Sequence, residues 1–354
     1  MKQHLSLLIL IFLAACSYVS AITPSPTLSV VIVPDTPTPP VTPRPTATKT
    51  MKQALYPFTI EGLLKHDFQS GRIVVRETLL ETENFTRYLI AYPSDGLTIT
   101  GILQIPIVGE PPYPVIMMNH GFFSRTVFNS GDGTDRAAEF FNRRGYLTLA
   151  SDYRSWGDSE TGKSLFYSGL AIDVINLMNA IPSIPEADPD RIGMWGHSMG
   201  GGVTLKVLTL DTRIKAAVLY SPVSADFTDI IERWGPGCLG DVYEGETTFG
   251  CNSSDILPLN LPDDLIDSYF KSVYDPEMLE AVSPLYHFDL VNAPVQIYYG
   301  TEDGLVSSGT PPEWSKKMYE GFIDAGKDAQ IFAYEGEKHS FIGDPWFVFM
   351  AHSV

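Results

Sequence analysis

Three side chains along this sequence are of types that together perform nucleophilic catalysis: Ser198, Asp303 and His339. A serine hydroxyl attacks poorly until a positioned base takes its proton, and the base needs a partner that fixes its tautomer. Ser198 stands in Arg191-Ile192-Gly193-Met194-Trp195-Gly196-His197-Ser198-Met199-Gly200-Gly201, where an apolar run meets Gly-x-Ser-x-Gly and a helix-like segment, 203–209, follows. Small flanking residues permit a sharp turn between strand and helix, which pushes the hydroxyl into the open. The start of the helix then directs N–H groups at an oxyanion formed there. The plainer alternative is a glycine-rich turn with an idle serine.

The base must come from seven histidines. His4 lies in the N-terminal segment, and His66 and His120 precede the nucleophile. His197 is its immediate neighbour and is expected to point away from it. His287 sits in an aromatic-rich insertion and His352 close to the end. His339 remains, in Tyr334-Glu335-Gly336-Glu337-Lys338-His339-Ser340-Phe341, directly after the last candidate strand. The carboxylate is expected at Asp303, on a turn after the apolar run 295–299, with Gly304 suiting that turn and Glu302 as the rival. An oxyanion hole needs two backbone N–H groups. Met199 offers one; Phe122, in Asn119-His120-Gly121-Phe122-Phe123, offers the second, because Gly121 lets the backbone approach closely.

Short β-rich runs alternating with helical patterns must position these residues, the signature of a mostly parallel sheet flanked by helices. Strands are expected near 73–77, 87–92, 98–105, 115–119, 147–151, 192–195, 216–220, 295–299 and 331–334. The first three read as an antiparallel edge with Asp95-Gly96 as a turn. Helices are expected near 135–144, 170–181, 201–208 and 312–325, with Thr134 or Asp135 capping the first and a short one near Trp346, which looks brief for a closing helix. Between about 221 and 291 the alternation breaks. That stretch holds Phe227, Trp234, Tyr243, Phe249, Tyr269, Phe270, Tyr274 and Tyr286. It reads as a cap over the C-terminal edge of the sheet, where open α/β sheets place their active sites. Its aromatics form the cap's own core on the favoured reading, or line a substrate pocket on the other.

Ahead of the domain, Lys2 and the apolar stretch 5–13 lead to Leu13-Ala14-Ala15-Cys16, so 1–15 is expected to be a signal peptide. Its ending resembles a bacterial lipoprotein signal, with Cys16 carrying lipid; a secretory peptide with a chance cysteine is the alternative. Either way the chain is expected to be exported, lipid-anchored at the outer face of a bacterial membrane or secreted. Acyl chains rather than a helix would hold it there. Residues 21–50 contain eight Pro and eight Thr, so 16–54 reads as an extended tether. The folded domain, with the insertion at about 221–291, is expected over 55–354. With 24 basic and 42 acidic residues the net charge is −18, which argues against nucleic acid as a partner and gives anionic substrates no steering. Cys238 and Cys251 bracket a loop-like segment and suit a disulfide in an exported protein, with two free thiols as the alternative. No further Cys or His completes a metal set beside them.

The order Ser198, Asp303, His339 and the Gly196–Gly200 turn resemble the α/β-hydrolase superfamily. His120-Gly121, Asp152-Tyr153-Arg154 with Gly157-Asp158-Ser159, Asp188-Pro189-Asp190-Arg191-Ile192-Gly193 and Gly300-Thr301-Glu302-Asp303 resemble the prolyl-oligopeptidase family's catalytic domain and dienelactone-hydrolase-like esterases. The resemblance implies an α/β-hydrolase fold, a mostly parallel twisted sheet with helices on both faces and a cap insertion. It also implies an acyl-enzyme on Ser198, with His339 as base, Asp303 as orienter, Met199 and Phe122 as the oxyanion hole, and no metal or organic cofactor. A small ester or a short peptide is the expected substrate; the oligomeric state is left open. The roughly 45 residues between tether and first matching strand are too few for the family's β-propeller, which favours ester over peptide hydrolysis. A binding module without chemistry is the competing class.

Overall fold

Apolar residues recurring every second position make each central strand two-faced, and the two faces build two cores. The computed structural model describes residues 49–354 except 240–251 and 259. The chain enters through α1 (Met51–Leu55) and α2 (Ile60–Leu63). Then come β1 (Val74–Glu81), β2 (Phe85–Ser94), β3 (Leu97–Pro106), β4 (Tyr113–Asn119), α3 (Asp135–Asn142), β5 (Leu147–Ser151), α4 (Ser168–Ala180), β6 (Ala187–His197), α5 (Met199–Leu210) and β7 (Ile214–Tyr220). After β7 lie α6 (Phe227–Trp234), the small strands β8 (Gly237–Leu239) and β9 (Asn252–Leu257), α7 (Asp263–Ser272) and α8 (Pro276–Val282). β10 (Val295–Gly300), α9 (Pro312–Asp324), β11 (Ala329–Tyr334) and α10 (Asp344–His352) complete the domain.

Nine strands form one sheet in the order β1-β2-β3-β5-β4-β6-β7-β10-β11. β1, β2 and β3 pair antiparallel, as does β3 with β5, and the remaining pairs are parallel. All nine expected strands are present. Asp95 and Gly96 have φ of 49° and 80°, the backbone a two-residue hairpin turn needs between Ser94 and Leu97. Met117, Leu149, Met194, Leu219 and Ile297 face one core, which takes in α4, α5 and α9. Their neighbours Met118, Ala150, Trp195, Val218 and Tyr298 face the other, closed by α3 and α10. Short as it is, α10 buries Trp346, Phe349 and Met350. Thr134 does precede α3 but does not cap it through its side chain; its hydroxyl donates back to Gly131 O at 3.0 Å.

α1 begins inside the stretch expected to be tether. Thr50 and Gln53 form a reciprocal capping box, and Leu55 is fully buried. In the insertion after β7, Phe227 and Tyr269 belong to the core, Trp234 and Phe270 pack against it, and Tyr274 and Tyr286 are exposed. Tyr243, Phe249 and Cys251 lie outside the described residues, as do the side chain of Cys238, the signal segment with Cys16, and most of the tether. Among the described residues no helix is long and apolar enough to cross a membrane.

Candidate active site

β6 runs through the centre of the sheet and stops at His197; α5 starts at Met199. Ser198 between them has φ 56° and ψ −122°, a strained conformation for a residue with a side chain. The flanking glycines are required sterically. A Cβ on Gly196 would lie 2.3 Å from Gly200 O, and one on Gly200 would lie 2.0 Å from Asn119 O. Hydrogen bonds bolt the turn to β7 and to the loop beyond that strand: Ser198 N–H donates to Tyr220 O at 3.0 Å, and Ser198 O accepts from Val223 N–H at 3.1 Å.

Asp303 sits in the loop after β10 and His339 in the loop after β11, strands that pair directly. The structure brings the two together: His339 Nδ1 is 2.9 Å from Asp303 Oδ2. Asp303 is 4% exposed and also accepts from Thr310 N–H at 2.9 Å and Thr310 Oγ1 at 2.8 Å. Burial opposes its charge, yet the His339 imidazole and the Thr310 donors outweigh burial and hold the carboxyl below its ordinary value. Glu302, the rival, is exposed and its side chain makes no bond to His339. With Nδ1 engaged by a carboxylate, Nε2 is the nitrogen of His339 left to exchange protons.

His197 has a structural role that its position in the motif does not reveal. Its Nε2–H donates to His339 O at 3.0 Å, while its ring stacks on Tyr220 at 4.5 Å and lies 4.8 Å from the His339 ring. Burial, reinforced by the nearby His339, pushes its pKa down to about 3, so the ring is neutral at ordinary pH. Tyr220 OH accepts from Phe341 N–H, so the histidine loop is gripped on both sides of Ser340. No hydrogen bond joins Ser198 Oγ to His339; the turn and the loop meet through His197.

The loop after β4 lies against the same turn. A Cβ on Gly121 would come within 3.1 Å of Ser198 Cβ, which only glycine avoids without a shift. Next to it, Phe122 N–H and, across the turn, Met199 N–H have no hydrogen-bond acceptor within the described residues. The loop is held by His120, whose ring stacks between Phe128 at 4.6 Å and Tyr153 at 4.3 Å. Trp156 Nε1–H donates to Phe123 O at 3.0 Å. Burial pushes the His120 pKa down to about 4. Beneath the loop, Asp152 accepts from Ser130 at 2.5 Å and Thr100 at 2.6 Å, and burial raises its pKa to about 6. The described residues thus hold a nucleophile candidate on a strained turn, an imidazole–carboxylate pair on a loop that His197 ties to that turn, and a loop at Gly121 packed against Ser198.

Residues 152–234 match the acetyl xylan esterase (AXE1) family and residues 274–345 the dienelactone hydrolase family. The quorum-quenching protein AidA of Acinetobacter baumannii is 30% identical over 147 residues, which cover 39% of this chain and 45% of AidA. The chain spans less than half the length of the curated relatives it matches at this identity. Acetyl xylan esterase 1 from Thermoanaerobacterium sp. superposes with a TM-score of 0.58 at 18% identity, covering 84% of this chain and 92% of the esterase. Pyrococcus horikoshii acylaminoacyl peptidase superposes with a TM-score of 0.52 at 20% identity, covering 73% of this chain and 39% of the peptidase. At such identities the likeness is one of fold.

Proposed function

The chain has the α/β-hydrolase fold, and we propose that it is a serine hydrolase that cleaves carboxylic esters through an acyl-enzyme on Ser198. The observation that carries this reading is the strained Ser198 at the β6–α5 turn, next to a His197 that bonds the backbone of His339, whose Nδ1 is held by Asp303. Substrate binding closes Ser198 to hydrogen-bond distance of His339 Nε2, a tightening common in such sites. Ser198 Oγ attacks the carbonyl carbon as Nε2 takes its proton. Met199 and Phe122 N–H groups receive the charge that develops on the carbonyl oxygen. His339 returns the proton to the leaving alcohol, then activates a water that releases the acid. Throughout, Asp303 stays ionised and steadies the imidazolium.

Ester chemistry is favoured because the AXE1 and dienelactone hydrolase matches fall on the segments carrying Ser198, Asp303 and His339. The acetyl xylan esterase also finds counterparts along nearly its whole length, which the acylaminoacyl peptidase does not. Cleavage of short peptides is the second reading, supported by the likeness to that peptidase. The Lys2 and Leu13-Ala14-Ala15-Cys16 pattern supports export with a lipid on Cys16. Comparing p-nitrophenyl butyrate with aminoacyl p-nitroanilides, using Ser198→Ala as blank, decides between the first two readings. Ester turnover with negligible anilide cleavage is expected; efficient anilide cleavage would transfer the assignment to peptides.

A further inference from the structure

Apolar side chains stand in water on the loops that carry the candidate catalytic residues. Leu305, two positions after Asp303, is 74% exposed, and Val306 is 61% exposed. Ile342, three positions after His339, is 74% exposed, and Phe122 beside Gly121 is 42% exposed. These are not loose loops. Arg233 on α6 donates to Gly304 O at 3.2 Å and Val306 O at 2.9 Å, and Trp234 Nε1–H donates to Ser307 O at 2.7 Å. Ile342 follows the buried Phe341, whose N–H is bonded to Tyr220 OH, and precedes Gly343 at φ 61°. The backbones of the loops after Asp303 and after His339 are therefore held while Leu305, Val306 and Ile342 stay exposed on them.

We propose that this rim selects neutral esters bearing a hydrocarbon chain of several carbons, in preference to acetyl esters or acyl groups with a charged tail. The inference rests on the serine-hydrolase reading above and names its substrate class. A chain seated against Leu305, Val306 and Ile342 removes apolar surface from water on both partners, and that gain rises with each methylene. A carboxylate tail brings no apolar surface to bury there, so it gains nothing from these side chains.

The test is kcat/KM for p-nitrophenyl acetate, butyrate and octanoate, each corrected with Ser198→Ala. Wild type is expected to rise by up to about fourfold per added methylene until the rim is filled. The double variant Leu305→Ser/Val306→Ser and the single Ile342→Ser are expected to keep acetate turnover and flatten the rise. Their side chains are solvent-exposed, so an unchanged melting temperature verifies folding. Ser198-dependent acetate hydrolysis with a flat or falling series would overturn the inference and leave the serine-hydrolase reading intact. A steep series untouched in all variants would also overturn it, since another surface would then hold the chain. No Ser198-dependent ester hydrolysis at all would remove both.

Discussion

At the scale of single residues, the proposed chemistry depends on side chains that never meet substrate. Thr310 gives Asp303 two hydrogen bonds, one from its backbone and one from its hydroxyl. Thr310→Val keeps the shape and the backbone donor but deletes the hydroxyl, freeing the carboxylate to rotate away from Nδ1. Misplacement of this order lowers kcat by about tenfold to a hundredfold, with KM little changed; equal kcat in the two proteins would contradict the role. The placement of Ser198, Asp303 and His339 just after β6, β10 and β11 was legible in the sequence because each follows a short apolar run. Thr310 was not: seven positions past Asp303 in a Ser- and Gly-rich loop, it carries no spacing rule. His197 and Tyr220 were equally hidden, because what they hold is the backbone of a loop more than a hundred positions away, bonded at His339 and Phe341.

At the scale of elements, the central strands of the large sheet were legible because a buried strand is a short apolar run bounded by turn residues, whereas β1 at the edge is exposed along its whole length. The less legible parts are those where composition misleads. α1 follows a Pro- and Thr-rich stretch, so its first four residues read as tether, yet its capping box and Leu55 bind it to the domain. Leu55→Ala should cost about 2–5 kcal/mol of unfolding free energy, measured by denaturant titration; a loss under about half a kcal/mol would show that α1 contributes little to the fold. The insertion after β7 was legible only as a break in alternation. Its short helices serve the site: α6 places Arg233 and Trp234 against the loop that follows Asp303. No period in the sequence announces a helix that braces a loop 71 to 73 positions on.

For the whole molecule, buried titratable groups set how stability responds to acid. His120 binds its proton near pH 4 when folded and near 6.5 as an ordinary histidine, and His197 near 3. Unfolding therefore takes up protons between those values, and stability falls as pH drops through them. Asp152 works the other way: its folded pKa of about 6 lies above its ordinary 3.8, so in that window the folded chain holds the extra proton and acid relieves a buried charge. His120 and His197 therefore contribute stability that is lost as pH falls below about 6.5, and Asp152 contributes in the opposite direction. Asp152→Asn removes the opposing effect, so its melting temperature relative to wild type should be highest at pH 7 and decline towards pH 4; a constant difference would show that Asp152 carries no such shift. The proposed chemistry depends on Ser198, just after β6, acting as an activated nucleophile. The most direct test treats the protein with a fluorophosphonate and locates the adduct by peptide mass spectrometry. One phosphonyl group on Ser198, abolished in Ser198→Ala and strongly slowed in His339→Ala, is the predicted result; an unlabelled Ser198 in folded protein would mean that the fold holds a site without the chemistry.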